Sequence, residues 1–271
     1  MMNQLIAFAK YYWTATTLHH IHSPFSYQIL SNLLDDQKVY YDFEILEALR
    51  KKLLHNQEIL EVEDHGAGSH VNNKNTRKIS TIAKSALSSK TQCQQIYRLI
   101  QELKSNSILE LGTSLGLSAA YMSKAKSNAN IHTIEGSPAI YRFANEQFKA
   151  LGLKNVFSYQ GTFNKILPGL LEKHSFNLVF IDGHHDYDAT IIYFKQIKEK
   201  VNKDCVFIFD DINWSKGMQQ AWQDLKKNNE VTLSIDLFYY GILFFNTENQ
   251  EVLHHTVIPL KYKPFKLGFF N

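Results

Sequence analysis

The chain has 271 residues, 44% of them hydrophobic and 20% charged, with a formal net charge of +3. That balance suits an ordinary soluble globular protein of one large domain, or one domain plus an extension. Its basic residues are scattered rather than striped, which excludes a strong nucleic-acid footprint, and no run approaches the ~20 apolar residues of a bilayer span.

In chain order, Met2 to about Leu18 reads as an aromatic amphipathic helix. Pro24, in His22-Ser-Pro-Phe25, suits the first turn of a second helix reaching about Leu33, and a third spans Phe43 to about His55. Glu61 to Arg77 is polar, contains Gly66 and Gly68, and reads as a loop, whose Asp64-His-Gly-Ala-Gly-Ser69 segment is expected to fold over the site. The texture changes near residue 90. Short apolar runs then alternate with amphipathic ones, the signature of βαβ units and a largely parallel sheet. Strands are expected at 107–111, 131–134, 155–159, 177–181 and 205–209. Helices are expected from about 117, over 138–151, 164–173 and 187–200, and from about 216 to 228. Two last strands, 231–235 and 241–245, have no room for a helix between them and should pair antiparallel. The expected fold is therefore α/β, a Rossmann-like doubly wound sheet of about seven strands closed by a C-terminal antiparallel hairpin, with an N-terminal helical extension.

Two cysteines, Cys93 and Cys205, lie far apart and outside any CxxC pair, so neither a zinc site nor a disulfide framework is expected. With no basic stretch, apolar core and small-residue cleavage site at the start, a cytoplasmic location is expected.

Three signals carry chemistry. The first is Glu110-Leu-Gly-Thr-Ser-Leu-Gly116, which leaves a strand and opens a helix. Glycine at such a turn lets backbone approach a ligand, and the helix start offers free N–H groups. The second is Glu135, at the end of the next strand and 25 residues (135 − 110) past Glu110. A carboxylate there can accept both hydroxyls of a ribose. The third is a pair of acidic strand ends, Ile181-Asp-Gly-His-His-Asp-Tyr187 and Phe209-Asp-Asp-Ile-Asn-Trp214. Adjacent strands lie roughly 4.8 Å apart, so Asp182, Asp210 and Asp211 can converge on one hard divalent cation such as Mg²⁺. Trp214 is expected to line the site. The aromatics Tyr11, Tyr12, Trp13, Phe25 and Tyr27, at helical spacing, read as packing.

These motifs resemble those of class I S-adenosylmethionine-dependent methyltransferases over roughly residues 91–246. Glu110 to Gly116 is similar to their first motif and Thr133-Ile-Glu135 to their second, while Gln160-Gly-Thr162 is similar to the place where they contact adenine. The resemblance implies strand order 3-2-1-4-5-7-6 with the seventh antiparallel. It implies S-adenosylmethionine as cofactor, held by Glu110, Gly112, Thr113, Ser114, Gly116, Glu135, Gly136, Gly161, Thr162 and Asp182. Residues 91–271 would form the cofactor-binding domain and 1–90 a helical extension or lid. The acidic strand ends resemble those of catechol and caffeoyl-coenzyme A type O-methyltransferases, implying a divalent metal on Asp182, Asp210 and Asp211 and oxygen as the methylated atom. In place of a lysine close behind the first Asp, this chain has His184 and His185. Asp182, His184 and His185 are thus the catalytic candidates, and a histidine can take a proton directly or ligate a metal. The alternative that Asp182 only orients the methionine end, with no metal, stays open. The expected partner is a small-molecule acceptor rather than nucleic acid or membrane, since the Asp-Pro-Pro-Tyr type motif of base-directed enzymes is absent. A homodimer is left open. A nicotinamide-dependent oxidoreductase shares the βαβ start and ribose carboxylate, and a non-catalytic binding module shares the fold.

Overall fold

The structure, a computed structural model, describes residues 2–62, 75–246 and 251–263. In chain order it comprises α1 (Met2–Thr14), a 3-10 turn (Leu18–His20), α2 (Pro24–Leu34), α3 (Asp42–His55), β1 (Ile59–Val62), β2 (Asn75–Lys78), α4 (Ile79–Ala86), α5 (Lys90–Leu103), β3 (Ser107–Leu111) and α6 (Leu117–Ala125). There follow β4 (Asn130–Glu135), α7 (Pro138–Ala150), β5 (Val156–Gln160), α8 (Phe163–Lys173), β6 (Leu178–Ile181), α9 (Tyr187–Lys198), β7 (Val206–Asp210), α10 (Lys216–Lys226), β8 (Leu233–Asp236), β9 (Tyr240–Phe244), β10 (Leu253–Thr256) and a second 3-10 turn (Leu260–Tyr262).

Contacts divide the chain into two compact units, at boundaries other than 90/91: Asp35–Phe176, and the stretch up to Leu34 together with Asn177 onward. In the Asp35–Phe176 unit, β3, β4 and β5 run parallel in that order. The register sets Leu111 opposite Ile134 and Glu135 opposite Gln160, so the carboxyl ends of the three strands finish together. Helix α5 buries Cys93, Ile96, Tyr97, Leu99 and Ile100, is capped by the Ser89 hydroxyl accepting from Gln92 N–H, and ends on Lys104 in the left-handed region. Arg50 of α3 donates to Glu47 and the Ser88 carbonyl, and Tyr121 of α6 donates to Glu47. Helices α3 and α6 and the turn before α5 are thereby pinned by one partly buried ion pair, whose partners are fixed by hydrogen bonds rather than by charge alone.

In the other unit the strand order is β10-β8-β9-β7-β6. β6 and β7 are parallel, β9 is antiparallel to both β7 and β8, and β10 is parallel to β8. Every residue of β6 and β7 is buried, as their unbroken apolar runs require. Within each unit the order is the one the resemblance implies, with β10 added.

Helix α1 belongs to this second unit. Tyr11 and Ala15 pack with Phe238 and Ile258, and the Tyr11 hydroxyl donates to the Val257 carbonyl. The helix stops at Thr14, short of the expected Leu18, because Thr16 leaves it to bridge Val257 as extended backbone. Its end is capped from far along the chain: buried Lys263 donates through Nζ to the carbonyls of Tyr12, Trp13 and Ala15. A cation suits a helix C-terminus, where carbonyls lack intrahelical partners.

The large strands and helices from Ser107 to Phe244 lie within a few residues of expectation. The differences are instructive. Strands β3 to β10 number eight, β10 being added to the seven or so expected. The polar stretch 61–77 is not all loop, since its ends pair as the antiparallel hairpin β1–β2. The Asp64–Ser69 segment lies outside the described residues.

Candidate active site

In the Asp35–Phe176 unit, the turn after β3 is built as the glycines demand. Gly112 (φ 106°) and Gly116 (φ 83°) take left-handed conformations that a side chain resists, and Ser114 (φ 47°) joins them. The N–H groups of Gly112 and Thr113 both donate to the Ile134 carbonyl, tying the turn to β4. Gly116 serves packing more than ligand access: a Cβ there would meet Phe148 Cε1 at 2.7 Å.

Glu135 ends β4, and both its oxygens are used. Oε2 accepts from Ser114 N–H at 2.9 Å and Oε1 from Ser137 N–H at 2.9 Å. The carboxylate therefore spans the glycine turn and the start of α7, and a carboxylate has about four acceptor positions in all. Beside it, the buried Ser137 hydroxyl has no hydrogen-bond partner among the described residues. A buried polar atom without a partner is costly, and a ribose-bearing ligand would supply one. The residues present thus fit an adenosyl group. Gly161 (φ 148°) donates to the Glu135 carbonyl, Gly136 accepts from Gln160 Nε2, and Thr162 starts α8. These positions edge the same strand ends.

Glu110 lies differently. It is fully buried, and its oxygens accept from the hydroxyls of Ser118 and Thr133, each at 2.5 Å. The Thr133 hydroxyl also meets Thr113 Oγ1 at 2.6 Å. Burial raises the Glu110 pKa to about 7 against the pull of those two hydroxyls, and the charge of Glu135 adds to the rise. Glu110 offers no surface to a ligand and supports the turn from beneath. Sequence reasoning missed its partners Ser118 and Thr133 as well as Ser137; a hydroxyl at each of three places around two acidic strand ends was the available signal.

In the other unit, the register Ile181↔Phe209 brings the ends of β6 and β7 side by side. The three carboxylates do not gather there. Asp210 is buried, and its Oδ1 accepts the N–H of Asp211 at 2.9 Å. Asp211 takes a left-handed conformation (φ 54°), and its Oδ2 lies 3.8 Å from His185 Nε2. Asp182 Oδ1 lies 3.7 Å from the same nitrogen. Among the described residues, no group of three or more His, Cys, Asp or Glu is placed to hold a metal ion. The expected three-carboxylate set is therefore not assembled, because Asp210 caps its neighbour's backbone while Asp182 and Asp211 flank an imidazole. Burial lowers the His185 pKa and raises that of Asp211, and each group's attraction for the other opposes its shift. The neutral imidazole is the favoured state, the form that accepts protons. His184 (φ 52°) is turned instead to Tyr193, whose hydroxyl lies 3.4 Å from its Nδ1. Asp186 caps α9 by accepting from Ala189 N–H. Trp214 is held by its N–H to the Asp211 carbonyl and is exposed beside it.

Residues 109–212 match a family described as a methyltransferase domain. No curated protein matches the chain. Among solved structures, an SAH-bound methyltransferase from Podospora anserina is 20% identical, covers 61% of this chain and 82% of its own, and has a TM-score of 0.54. A caffeoyl-CoA O-methyltransferase, so described provisionally, from Staphylococcus aureus is 15% identical over 62% of this chain and 88% of its own, with a TM-score of 0.55. An O-methyltransferase from Bacillus cereus in complex with SAH is 16% identical over 80% of this chain and 99% of its own, with a TM-score of 0.54. Nothing in these likenesses favours the oxidoreductase or binding-module alternatives. Residues 109–212 thus match a methyltransferase domain, and the fold is the Rossmann-like α/β fold shared with these solved methyltransferases.

Proposed function

We propose that the protein is an S-adenosylmethionine-dependent O-methyltransferase acting on a small-molecule acceptor. The observation that carries this reading is Glu135, fixed by two backbone N–H groups at a strand end beside the unpartnered Ser137 hydroxyl. Glu135 would accept the ribose hydroxyls, the Gly112–Gly116 turn with Thr113 and Ser114 would line the methionine end, and Gly136, Gly161 and Thr162 would edge the adenine. S-adenosylmethionine supplies, when bound, a methyl on a sulfonium whose leaving thioether needs no proton.

The remaining work falls to the chain. His185 takes the proton of the acceptor hydroxyl as the oxygen–methyl bond forms. Asp182 and Asp211 stabilise the resulting imidazolium, each within 4 Å of Nε2. Oxygen as the methylated atom is supported by the O-methyltransferase names of two of the structural neighbours. The same reading takes the enzyme as cytoplasmic, with free small molecules rather than nucleic acid or membrane as partners. In support, both cysteines are free thiols and no helix among the described residues is long and apolar enough to cross a membrane.

Calorimetric titration tests the central step. Glu135→Ala is expected to weaken S-adenosylmethionine binding by roughly 10- to 100-fold, the loss of charge-assisted hydrogen bonds to a ribose. Unchanged affinity would remove Glu135 from the site and the reading with it.

A further inference from the structure

A cavity of about 510 Å³ opens on Asp211. Its walls are Leu5 and Phe8 of α1, Trp214 in the turn after β7, and Phe238 and Tyr239 of the β8–β9 turn. Leu5 is 69% exposed, Phe8 42%, Trp214 58% and Tyr239 62%, a concentration of bare apolar surface around one carboxylate. Scattered exposed apolar residues are ordinary, but a contiguous concave set with a polar group at one end is the character of a ligand pocket.

The walls are held in place. Phe8 meets Phe238 edge-on, with ring centroids 5.0 Å apart. Phe238 takes φ 71°, secured by its N–H to Asp236 Oδ1 at 2.9 Å. Asn213 Nδ2 donates to the Phe238 carbonyl at 2.8 Å, which joins the β7 turn to the β8–β9 turn and uses one of that amide's two N–H donors. Two left-handed residues without glycine, Asp211 and Phe238, thus face one cavity; backbone strain of this kind collects at functional sites.

Charge narrows the occupant. Among the described residues, the lining includes one acid, Asp211, and no Lys or Arg. A carboxylate or phosphate buried there would face repulsion without a compensating cation. Asp211 also flanks His185, so a hydroxyl directed at this end of the cavity meets the base.

Resting on the methyl-transfer reading, we propose that this cavity is the acceptor pocket, that α1 sets its selectivity through Phe8, and that it takes a planar, uncharged aromatic alcohol while rejecting anionic acceptors such as acyl-coenzyme A esters. The ring would lie among Phe8, Phe238 and Trp214, and the hydroxyl would point to Asp211 and His185.

The test is calorimetry at pH 7 on the whole protein with S-adenosylhomocysteine present, using 2-naphthol and its anionic analogue 6-hydroxy-2-naphthoate as probes. The expected result is that 2-naphthol binds at least about tenfold more tightly than the naphthoate. Phe8→Ala should weaken 2-naphthol by roughly tenfold, with Phe8→Leu between, while S-adenosylhomocysteine affinity stays as in the parent. Equal binding of the two probes, no binding of 2-naphthol, or a Phe8→Ala variant that binds it normally would each overturn the inference, while intact S-adenosylhomocysteine binding would leave the methyl-transfer reading standing. Failure of the parent protein to bind S-adenosylhomocysteine would instead count against that reading. Sedimentation of parent and Leu5→Asp forms closes the remaining route: self-association abolished by the substitution would show the face to be covered by a second copy, and would overturn the acceptor assignment.

Discussion

The two sets of strand ends handle their acids in opposite ways. At β3 and β4, Glu110 and Glu135 are surrounded by donors: two hydroxyls bind one and two backbone N–H groups bind the other. At β6 and β7, Asp182 and Asp211 are partly exposed and flank an imidazole, and Asp211 borders an apolar hollow. The first arrangement fixes its carboxylates through donors of the chain, as the proposed hold on one invariant ligand requires. The second sets two carboxylates about an imidazole, as the proposed proton transfer requires. The difference teaches that binding and acid–base work call for different environments even where both are placed at strand ends.

The largest expected effect breaks the second region alone. His185→Ala should lower kcat by roughly 10²- to 10⁴-fold, the worth of a positioned base, while S-adenosylmethionine affinity measured by calorimetry remains that of the parent. If the carboxylates act only through His185, activity measured after exhaustive chelation should also persist.

Next comes a pH effect confined to the first region. The folded Glu110 pKa of about 7 stands above its ordinary 4.5. Between those values the folded protein keeps a proton that the unfolded chain has released, so this group's contribution to stability falls as pH rises and levels off above the window. Glu110→Gln should remove that slope. The parent-minus-variant difference in unfolding free energy should change by on the order of 3 kcal/mol across the window, read from denaturant titrations at several pH values.

A smaller loss sharpens the role of the turn. Gly116→Ala must adopt φ 83° and press against Phe148, which should cost roughly 1–3 kcal/mol of stability in chemical denaturation. The smallest effect concerns α1: Lys263→Met should lower stability by about 1 kcal/mol through lost capping, seen as faster amide exchange in residues 2–14.

Much of this was legible in the sequence, for a physical reason. Strands such as Leu178–Ile181 and Val206–Asp210 are buried on both faces, so their apolar runs are unbroken and their ends sharp. Pro138 marked the start of α7 and is found at its first turn. Elements that rest on distant partners were not legible. β10 reads Leu253-His-His-Thr, without an apolar run, and exists because β8 offers it a parallel edge. The end of α1 depends on Thr16 meeting Val257. At the site, sequence placed the acids but not their aim. Asp210 and Asp211 are adjacent and chemically identical, and only the left-handed backbone of Asp211 decides which one faces His185. Likewise, nothing local to Gly116 announced that its missing side chain makes room for Phe148.

The lysine that closes α1 makes neighbours of positions about 250 apart in the numbering. A wall built from residue 8 is thereby braced by a single ammonium at residue 263. On the proposed reading, damage to that brace, by acylation of the lysine or a cut just before it, would reach the choice of methyl acceptor before the grip on the methyl donor. Acceptor choice would then be governed by a tether, and could be retuned without touching any group that handles the proton.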